Sequence, residues 1–422
     1  MGPGNAAGSL RLTGNACLRP LRRQLEALLR IYPTVASGIV NRPRLSVIIN
    51  NYNYERFLRS ALESARSQSY SNLEVVVVDD GSTDQSREIL AAEGGDASLI
   101  FKPNGGQASA FNAGFAHSTG DIVIFLDADD VLLPGAAQSV VEAFERAPGA
   151  AKVHYPLEII DAGGEPTGRH EPPGRLMEGD LRGQVARHHA YKSPPTSGNA
   201  FPRWLLDRLL PMPEHGFEGA TERYLVDLAP LFGPIVAIPH PCGQYRRHGA
   251  NETAHPNHRI GPCFLPWVRQ NVRRMRLSRA HQRRIGDELG YQAWFPPPED
   301  DAWLGDAAHR LISYKLDRQG HPVRDDRLGR IVRSGLRTSL SRGANPMTTW
   351  MDRLVRAAWF LAVAGAPRPI ALWLVEQYYL PGARLRAVDL ILRLCRVRPE
   401  VAPRPATPSR VDSTRLPSLK SG

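Results

Sequence analysis

Residues 75–84 read VVVVDDGSTD: four valines in a row end without transition in two adjacent acids, a glycine and hydroxyls. A strand that is apolar at consecutive positions must be covered on both faces, which points to a mostly parallel sheet between layers of helices. The alternation continues on either side. LSVIIN (45–50) is another short apolar run, and ERFLRSALESARSQ (55–68) sets Phe57, Leu58, Ala61, Leu62 and Ala65 on one helical face. LEVVVV (73–78) is the next strand, and Ser82 or Thr83 is suited to cap a helix after it. LIF (99–101), GQASAFNAGFAHS (106–118) and DIVIFL (121–126) extend the series. The expectation for 43–135 is an α/β unit in which four strands alternate with three helices.

In such sheets ligands gather beyond the carboxyl ends of the strands. Polar clusters follow the first strand (NNYNYE), the second (DDGSTD) and the fourth (DADD), so all three should meet in one cleft. No Gly-x-Gly-x-x-Gly follows the first strand, which argues against a dinucleotide. Asn50, Asn51, Tyr52 and Asn53 stand there instead, suited to hydrogen bonding and stacking on a base. Asp127 and Asp129 flank one small residue just past the fourth strand, and both can point at one cation. Mg²⁺ or Mn²⁺ takes one or two protein carboxylates and completes its shell with water and phosphate oxygens, so a nucleoside diphosphate suits the arrangement. Asp79 and Asp80 point opposite ways along an extended chain. One is free to accept a bond from a ligand, and the other to be held by the amides of the GSTD turn.

Length and composition bound the rest. A chain of 422 residues with 42% hydrophobic content has room for two or three domains. Its four cysteines are widely spaced, which argues against a disulfide framework. The first 33 residues lack the apolar run of a secretory signal, and no window is long and apolar enough to span a membrane. Net charge is +11. Arg269, Arg273, Arg276 and Arg283 recur near helical spacing and form a basic stripe, suited to a solvated face or to an anionic partner. Residues 354–380 read as two short apolar helices, either packed or lying in a membrane interface with Trp359, Trp373, Tyr378 and Tyr379 near their ends. The Pro-, Ser- and Arg-rich tail has the composition of a disordered segment.

The blocks SVIINNYNYERFLRSALES, VVVVDDGSTD, NGGQASAFNAGFAHSTGDIVIFLDADD and YRRHGAN, in that order, resemble family 2 glycosyltransferases of the GT-A fold. The match is strong over 43–135 and weaker to about 251. It implies inverting transfer from a nucleotide-diphospho-sugar, most simply a UDP-sugar, with Mg²⁺ or Mn²⁺ held by the Asp-x-Asp. Carried over residue by residue, Asn50, Asn51, Tyr52, Asn53 and Glu55 look like the base-binding loop, and Asp80 like the carboxylate that reads the uracil imide. Asp127 would face the donor and the metal, and Asp129 would hold the metal. Lys102, Asn104, Gln107 and Asn112 fall in the segment on the donor-sugar side. Arg246 and His248 would serve the diphosphate, with His248 also a candidate metal ligand.

The acceptor half departs from the family pattern. Where members carry a Glu-Asp pair, this chain has GFEGATERYLVDLAPLFG (216–233), which puts Glu222 at the general-base position with Glu218 as the fallback. A different alignment puts Thr221 there, which would leave a protein that binds nucleotide without turning it over. The expected partners are a nucleotide-sugar donor, a glycan or lipid-linked acceptor, and peripheral contact at the cytoplasmic face of the membrane. Nucleic acid is not expected, because three acidic strand ends repel a polyanion. The expected layout is an N-terminal extension (1–42), a catalytic domain (43–255, donor half to 135), a helical basic region (256–398) and the tail (399–422). A haloacid-dehalogenase-like phosphatase also places Asp-x-Asp after a strand, but after the first strand of its domain.

Overall fold

The computed structural model describes residues 42–248, 264–296, 304–340, 350–379 and 385–394. The expected N-terminal extension (except Arg42) and the tail lie outside these residues. The first half runs β1 (Leu45–Asn51), α1 (Glu55–Arg66), β2 (Leu73–Asp79), α2 (Ser86–Glu93), β3 (Ser98–Phe101), α3 (Gln107–His117) and β4 (Ile122–Asp127). It continues with β5 (Val131–Leu132), α4 (Ala136–Arg146), β6 (Lys152–His154), β7 (Leu157–Ile160), β8 (Pro166–Glu171) and α5 (Arg182–His188). Next come β9 (Asn199–Pro202), α6 (Arg203–Leu209), α7 (Glu222–Leu228), β10 (Ile235–Ala237) and β11 (Gly243–Arg246). Helices then follow: α8 (Phe264–Glu288), α9 (Leu304–Leu316), α10 (Leu328–Leu340), α11 (Trp350–Gly365), α12 (Arg368–Tyr379) and α13 (Arg386–Leu394).

Seven strands form the main sheet in the order β10-β6-β9-β4-β1-β2-β3. Pairing is parallel except for β9, which runs antiparallel between β4 and β6. The consecutive apolar runs have the cause expected of them. Leu45, Val47 and Ile49, Val75 and Val77, and Ile122, Ile124 and Leu126 pack into one core. Their neighbours Ile48, Val76, Val78, Val123 and Phe125 pack into a second core on the opposite face. Side chains alternate across a strand, so a sheet with two buried faces needs apolar residues at every step. Gly114 lets α3 lie close on β1, since a Cβ there would meet Ile48 Cγ2 at 2.3 Å.

A small second sheet, β5-β11-β7-β8, brings the end of β11 against the turn after β4. The helix after β2 begins at Ser86, not at Ser82 or Thr83. Ser82 instead turns its hydroxyl to the strand-one loop, accepting bonds from Asn51 Nδ2 (3.1 Å) and the Asn53 amide (3.0 Å).

The helices α9–α13, with Phe264 and Val268 of α8, enclose a third core. Trp359, Tyr378 and Tyr379, for which the sequence leaves both packing and a membrane interface open, are buried in it. The basic stripe on α8 is partly consumed inside the protein: Arg269 pairs with Asp317, and Arg283 donates to the Pro296 carbonyl. Among the described residues, no helix is long and apolar enough to cross a membrane.

Candidate functional site

The carboxyl ends of β1, β2 and β4 carry the polar clusters. Asn50 sits in register with Asp127, since β1 and β4 are adjacent parallel strands. Asp127 Oδ1 accepts from Asn50 Nδ2 (2.9 Å) and from Gln107 Nε2 at the start of α3 (2.8 Å). Burial, then the charges of Asp129 and Glu222, push its carboxyl up to about 7, against the hydrogen bonds from Asn50 and Thr196. Its backbone amide donates to Ser197 Oγ (3.1 Å), whose hydroxyl donates to Asp130 Oδ2 (2.6 Å). Asp130 is fully buried, and burial with the Asp129 and Asp127 charges raises its carboxyl well above the usual range.

The end of β11 closes the Asp-x-Asp turn. The Arg246 amide donates to Asp130 Oδ1 (2.9 Å) and its Nε to the Asp129 carbonyl (2.8 Å). Its guanidinium lies 5.0 Å from the centre of the Phe57 ring, and the residue is only 5% exposed, so it braces this turn from inside. His248 Nε2 lies 2.9 Å from Asp129 Oδ2, with its ring against Phe57 (4.7 Å) and Tyr54 (5.8 Å). Arg247 points away to Glu171 (2.8 Å).

The adjacent acids of β2 divide their work. Asp79 is fully buried and accepts from Asn51 Nδ2 (3.0 Å), the Ser82 amide (3.1 Å) and Arg87 Nε (2.7 Å). Burial alone would raise its carboxyl, but these bonds outweigh burial and hold it below the ordinary value. Asp80 faces the other way. It gathers the 102–106 loop, accepting from Lys102 Nζ (2.5 Å) and the amides of Gly105 (3.0 Å) and Gly106 (2.7 Å). Gly81 makes the turn between them possible, with φ +81 and no room for a Cβ, which would fall 2.5 Å from the Asn104 amide.

The base-loop residues form a lattice with that turn. Asn53, at φ 59, accepts from the Thr83 amide (2.7 Å). Glu55 accepts from the Gln85 amide (2.6 Å) while its own amide donates to Asp84 (2.9 Å). Tyr52 is 44% exposed. Asn112 lies elsewhere: its amide exchanges two bonds with the Met212 backbone, 2.9 and 2.8 Å, which ties α3 to the chain after α6.

Glu222 opens α7. It is half-buried; burial raises its carboxyl against the pull of Arg223 and Arg274. Its carboxylate accepts from its own backbone amide, and its charge is felt at Asp127. Thr221 is buried, with its hydroxyl directed at the Phe217 carbonyl (3.4 Å), and Glu218 is an exposed residue that accepts from the Gly216 amide.

Sequence reasoning missed Ser197, Asp130 and the support beneath them. Lys152 of β6 is fully buried, where burial pushes its amine well below the usual range. It donates to Ser193 Oγ and Asn199 Oδ1, both at 2.7 Å. Asn199 Nδ2 in turn donates to the Pro195 carbonyl (2.7 Å), fixing the turn that presents Thr196 and Ser197 to Asp127. The third acid of DADD was a visible signal for Asp130; nothing local marks Ser197 or Lys152.

Among the described residues, no three His, Cys, Asp or Glu side chains stand together as a ready-made metal cage. The donor set nonetheless suits a hard divalent cation, which needs only one or two carboxylates from the protein. Asp127 is surrounded by like charge and accepts only from neutral amides and a hydroxyl, an arrangement that a cation would relieve.

A mostly parallel sheet buried on both faces, with an acidic, hydrogen-bonded cleft at its carboxyl edge, defines an α/β protein of the GT-A kind. Residues 46–194 match the sequence model of the family described as Glycosyl transferase family 2. An uncharacterized glycosyltransferase of Nostoc sp. is 37% identical over 213 residues, covering 49% of this chain and 66% of the relative. An uncharacterized glycosyltransferase of Rickettsia prowazekii is 33% identical over 120 residues, 28% of this chain and 38% of the relative. The chain thus spans about two thirds or less of these relatives' lengths. S. aureus TarS 1–349, solved in complex with UDP-GlcNAc, is 16% identical with a TM-score of 0.47, covering 79% of this chain and 91% of that one. The chain belongs to glycosyl transferase family 2.

Proposed function

We propose that the chain is an inverting glycosyltransferase that moves a sugar from a nucleoside-diphospho-sugar, a UDP-sugar first, to a hydroxyl of a glycan or lipid-linked acceptor. The observation that carries the reading is the pair of carboxylates Asp127 and Asp129 at the end of β4, with the charge of Glu222, at the start of α7, felt at Asp127. Burial and the charges of Asp129 and Glu222 raise Asp127, and the His248 imidazole lies 2.9 Å from Asp129. A diphosphate with its cation is the ligand that such an edge complements.

The chain's own residues supply the rest. Asn50 and Gln107 load one oxygen of Asp127, and the Thr196 hydroxyl adds a further bond, which together fix the carboxylate. Tyr52 and the lattice of Asn51, Asn53 and Glu55 shape a floor for the base, and Asp80 holds the 102–106 loop at its edge. Asp129, with Asp127 and His248 beside it, would hold Mg²⁺ or Mn²⁺, which supplies positive charge to a departing diphosphate when bound. Glu222 takes the proton of the acceptor hydroxyl; burial raises its carboxyl, which makes it a stronger base for that proton. Attack opposite to the leaving group gives inversion. We assign this work to residues 43–255, at the cytoplasmic face of the membrane if the acceptor is carried on lipid.

Thermal unfolding with UDP, dTDP, GDP and CDP, each with Mn²⁺ or with EDTA, tests the donor site, because a ligand of the folded state raises the midpoint by mass action. One diphosphate should raise the midpoint only with Mn²⁺, and Asp129→Ala should abolish the shift. A flat response to all four would refute the donor site.

A further inference from the structure

A surface helix normally turns charged residues outward and apolar ones in. Helix α11 does the reverse along its outer stripe. Trp350, Leu354, Ala358, Leu361 and Gly365 follow one another at steps of four, four, three and four residues, and all are exposed. Trp350, Leu354 and Leu361 are 69, 51 and 56% exposed. Every exposed position of this helix is apolar, whereas its inner side carries Asp352, bonded to Arg356 (2.9 Å). The next helix, α12, continues the surface with Ile370 and Trp373, 52 and 42% exposed.

Helix α10 packs directly on α11, where Gly335 leaves no space for a Cβ against the Phe360 ring. It shows the opposite chemistry outward. Arg327, Arg330, Arg333 and Arg337 are all exposed, and the stretch 327–340 contains no acid. An apolar stripe with exposed tryptophans beside an unbroken basic one matches the acyl boundary and the headgroups of an anionic bilayer. A protein partner is the poorer fit, because interface cores are depleted in charge.

We propose that α10, α11 and α12 form the surface by which this chain lies on an anionic phospholipid membrane, with Trp350, Leu354 and Leu361 entering the interface and Arg327, Arg330 and Arg333 holding the headgroups. The surface is independent of the donor site, so it stands or falls apart from the transferase reading.

Flotation of the full chain with vesicles tests it. The wild type should float with phosphatidylcholine vesicles containing phosphatidylglycerol, stay behind with phosphatidylcholine alone, and release partly at high salt. The triple variant Arg327→Gln, Arg330→Gln, Arg333→Gln should lose about a hundredfold in partition, as expected for three charges near an anionic surface. Trp350→Ser, Leu354→Ser, Leu361→Ser should abolish flotation while keeping the wild-type unfolding midpoint and nucleotide response, since these side chains are exposed. Absence of flotation, equal flotation with neutral lipid, or an unaffected serine variant overturns the proposal. So does concentration-dependent dimerisation that the serine variant removes in a protein that never floats, because the stripe would then be covered by a second copy.

Discussion

Asp79 is the residue on which the donor-side turn depends. Three donors, Asn51, Ser82 and Arg87, converge on a carboxylate with no exposure of its own. Removing one partner of such a buried charged set leaves the others unsatisfied, which costs about 1–3 kcal/mol. Asp79→Asn keeps the shape but turns an amide group toward the Asn51 or Arg87 donor. Because the folded carboxyl lies below its ordinary value of 3.8, its contribution is present above that value and disappears as pH falls through the folded pKa. The variant should therefore unfold at lower urea than wild type at pH 7, and the gap should close as pH falls below 3.8 and through the folded pKa. Denaturant midpoints across that range decide it; a constant gap at low pH would show that the loss is steric. Glu222→Gln isolates the other role. It should lower kcat by about 10²–10⁴ while the nucleotide-induced thermal shift remains. Retained turnover would hand the proton to another group.

At the scale of elements, what the sequence disclosed depended on whether the cause was local. β1, β2, β4, α1 and α3 fall within about two residues of their expected bounds. Two-sided burial and a helical stripe write themselves into consecutive residues. β9 did not, because four residues ending in proline carry no period, and its antiparallel place between β4 and β6 is set by pairing with distant chain. The same limit governs the site. The acids of DDGSTD and DADD were legible as a cleft because they end buried strands. Which of Asp79 and Asp80 the turn amides would hold was not, since that rests on Asn51, Arg87 and Lys102 arriving from three other segments. Arg246 read as a phosphate ligand from its block, yet its Nε lies 2.8 Å from a backbone carbonyl beneath Asp129, a placement that only β11 pairing in the second sheet determines.

The whole molecule turns on α8, which belongs to two cores. Near its start Phe264 and Val268 enter the helical core. Further along, Ile285 and Leu277 enter the core behind the main sheet, and Phe295 just beyond joins them. Polar bonds fasten that second half: Arg279 donates to the carbonyls of Ala186 (2.6 Å) and Val185 (3.4 Å), Gln282 to those of His189 (2.9 Å) and Asp227 (3.3 Å), and Ser278 to Asp227 Oδ2 (3.0 Å). Since Asp227 lies on the helix that Glu222 opens, α8 is part of the support of the proposed base. A chain ending after Pro296 would therefore leave the two cores of the main sheet covered and expose the part of α8 that faces the helical core, Phe264 and Val268 with Leu265 and Trp267 beside them, at a cost of about 3–6 kcal/mol for the two buried side chains. It should fold with a lowered midpoint, keep the Mn²⁺-dependent nucleotide shift, and lose flotation with anionic vesicles. A chain ending before Phe264 should lose the shift as well, because Asp227 Oδ2 would lose Ser278 and the Val185 and Ala186 carbonyls would lose Arg279. Thermal scans of the two truncations with and without nucleotide separate these outcomes. If the longer one folds but gives no shift, the helical region completes the donor site and the two halves of the molecule are one catalytic unit.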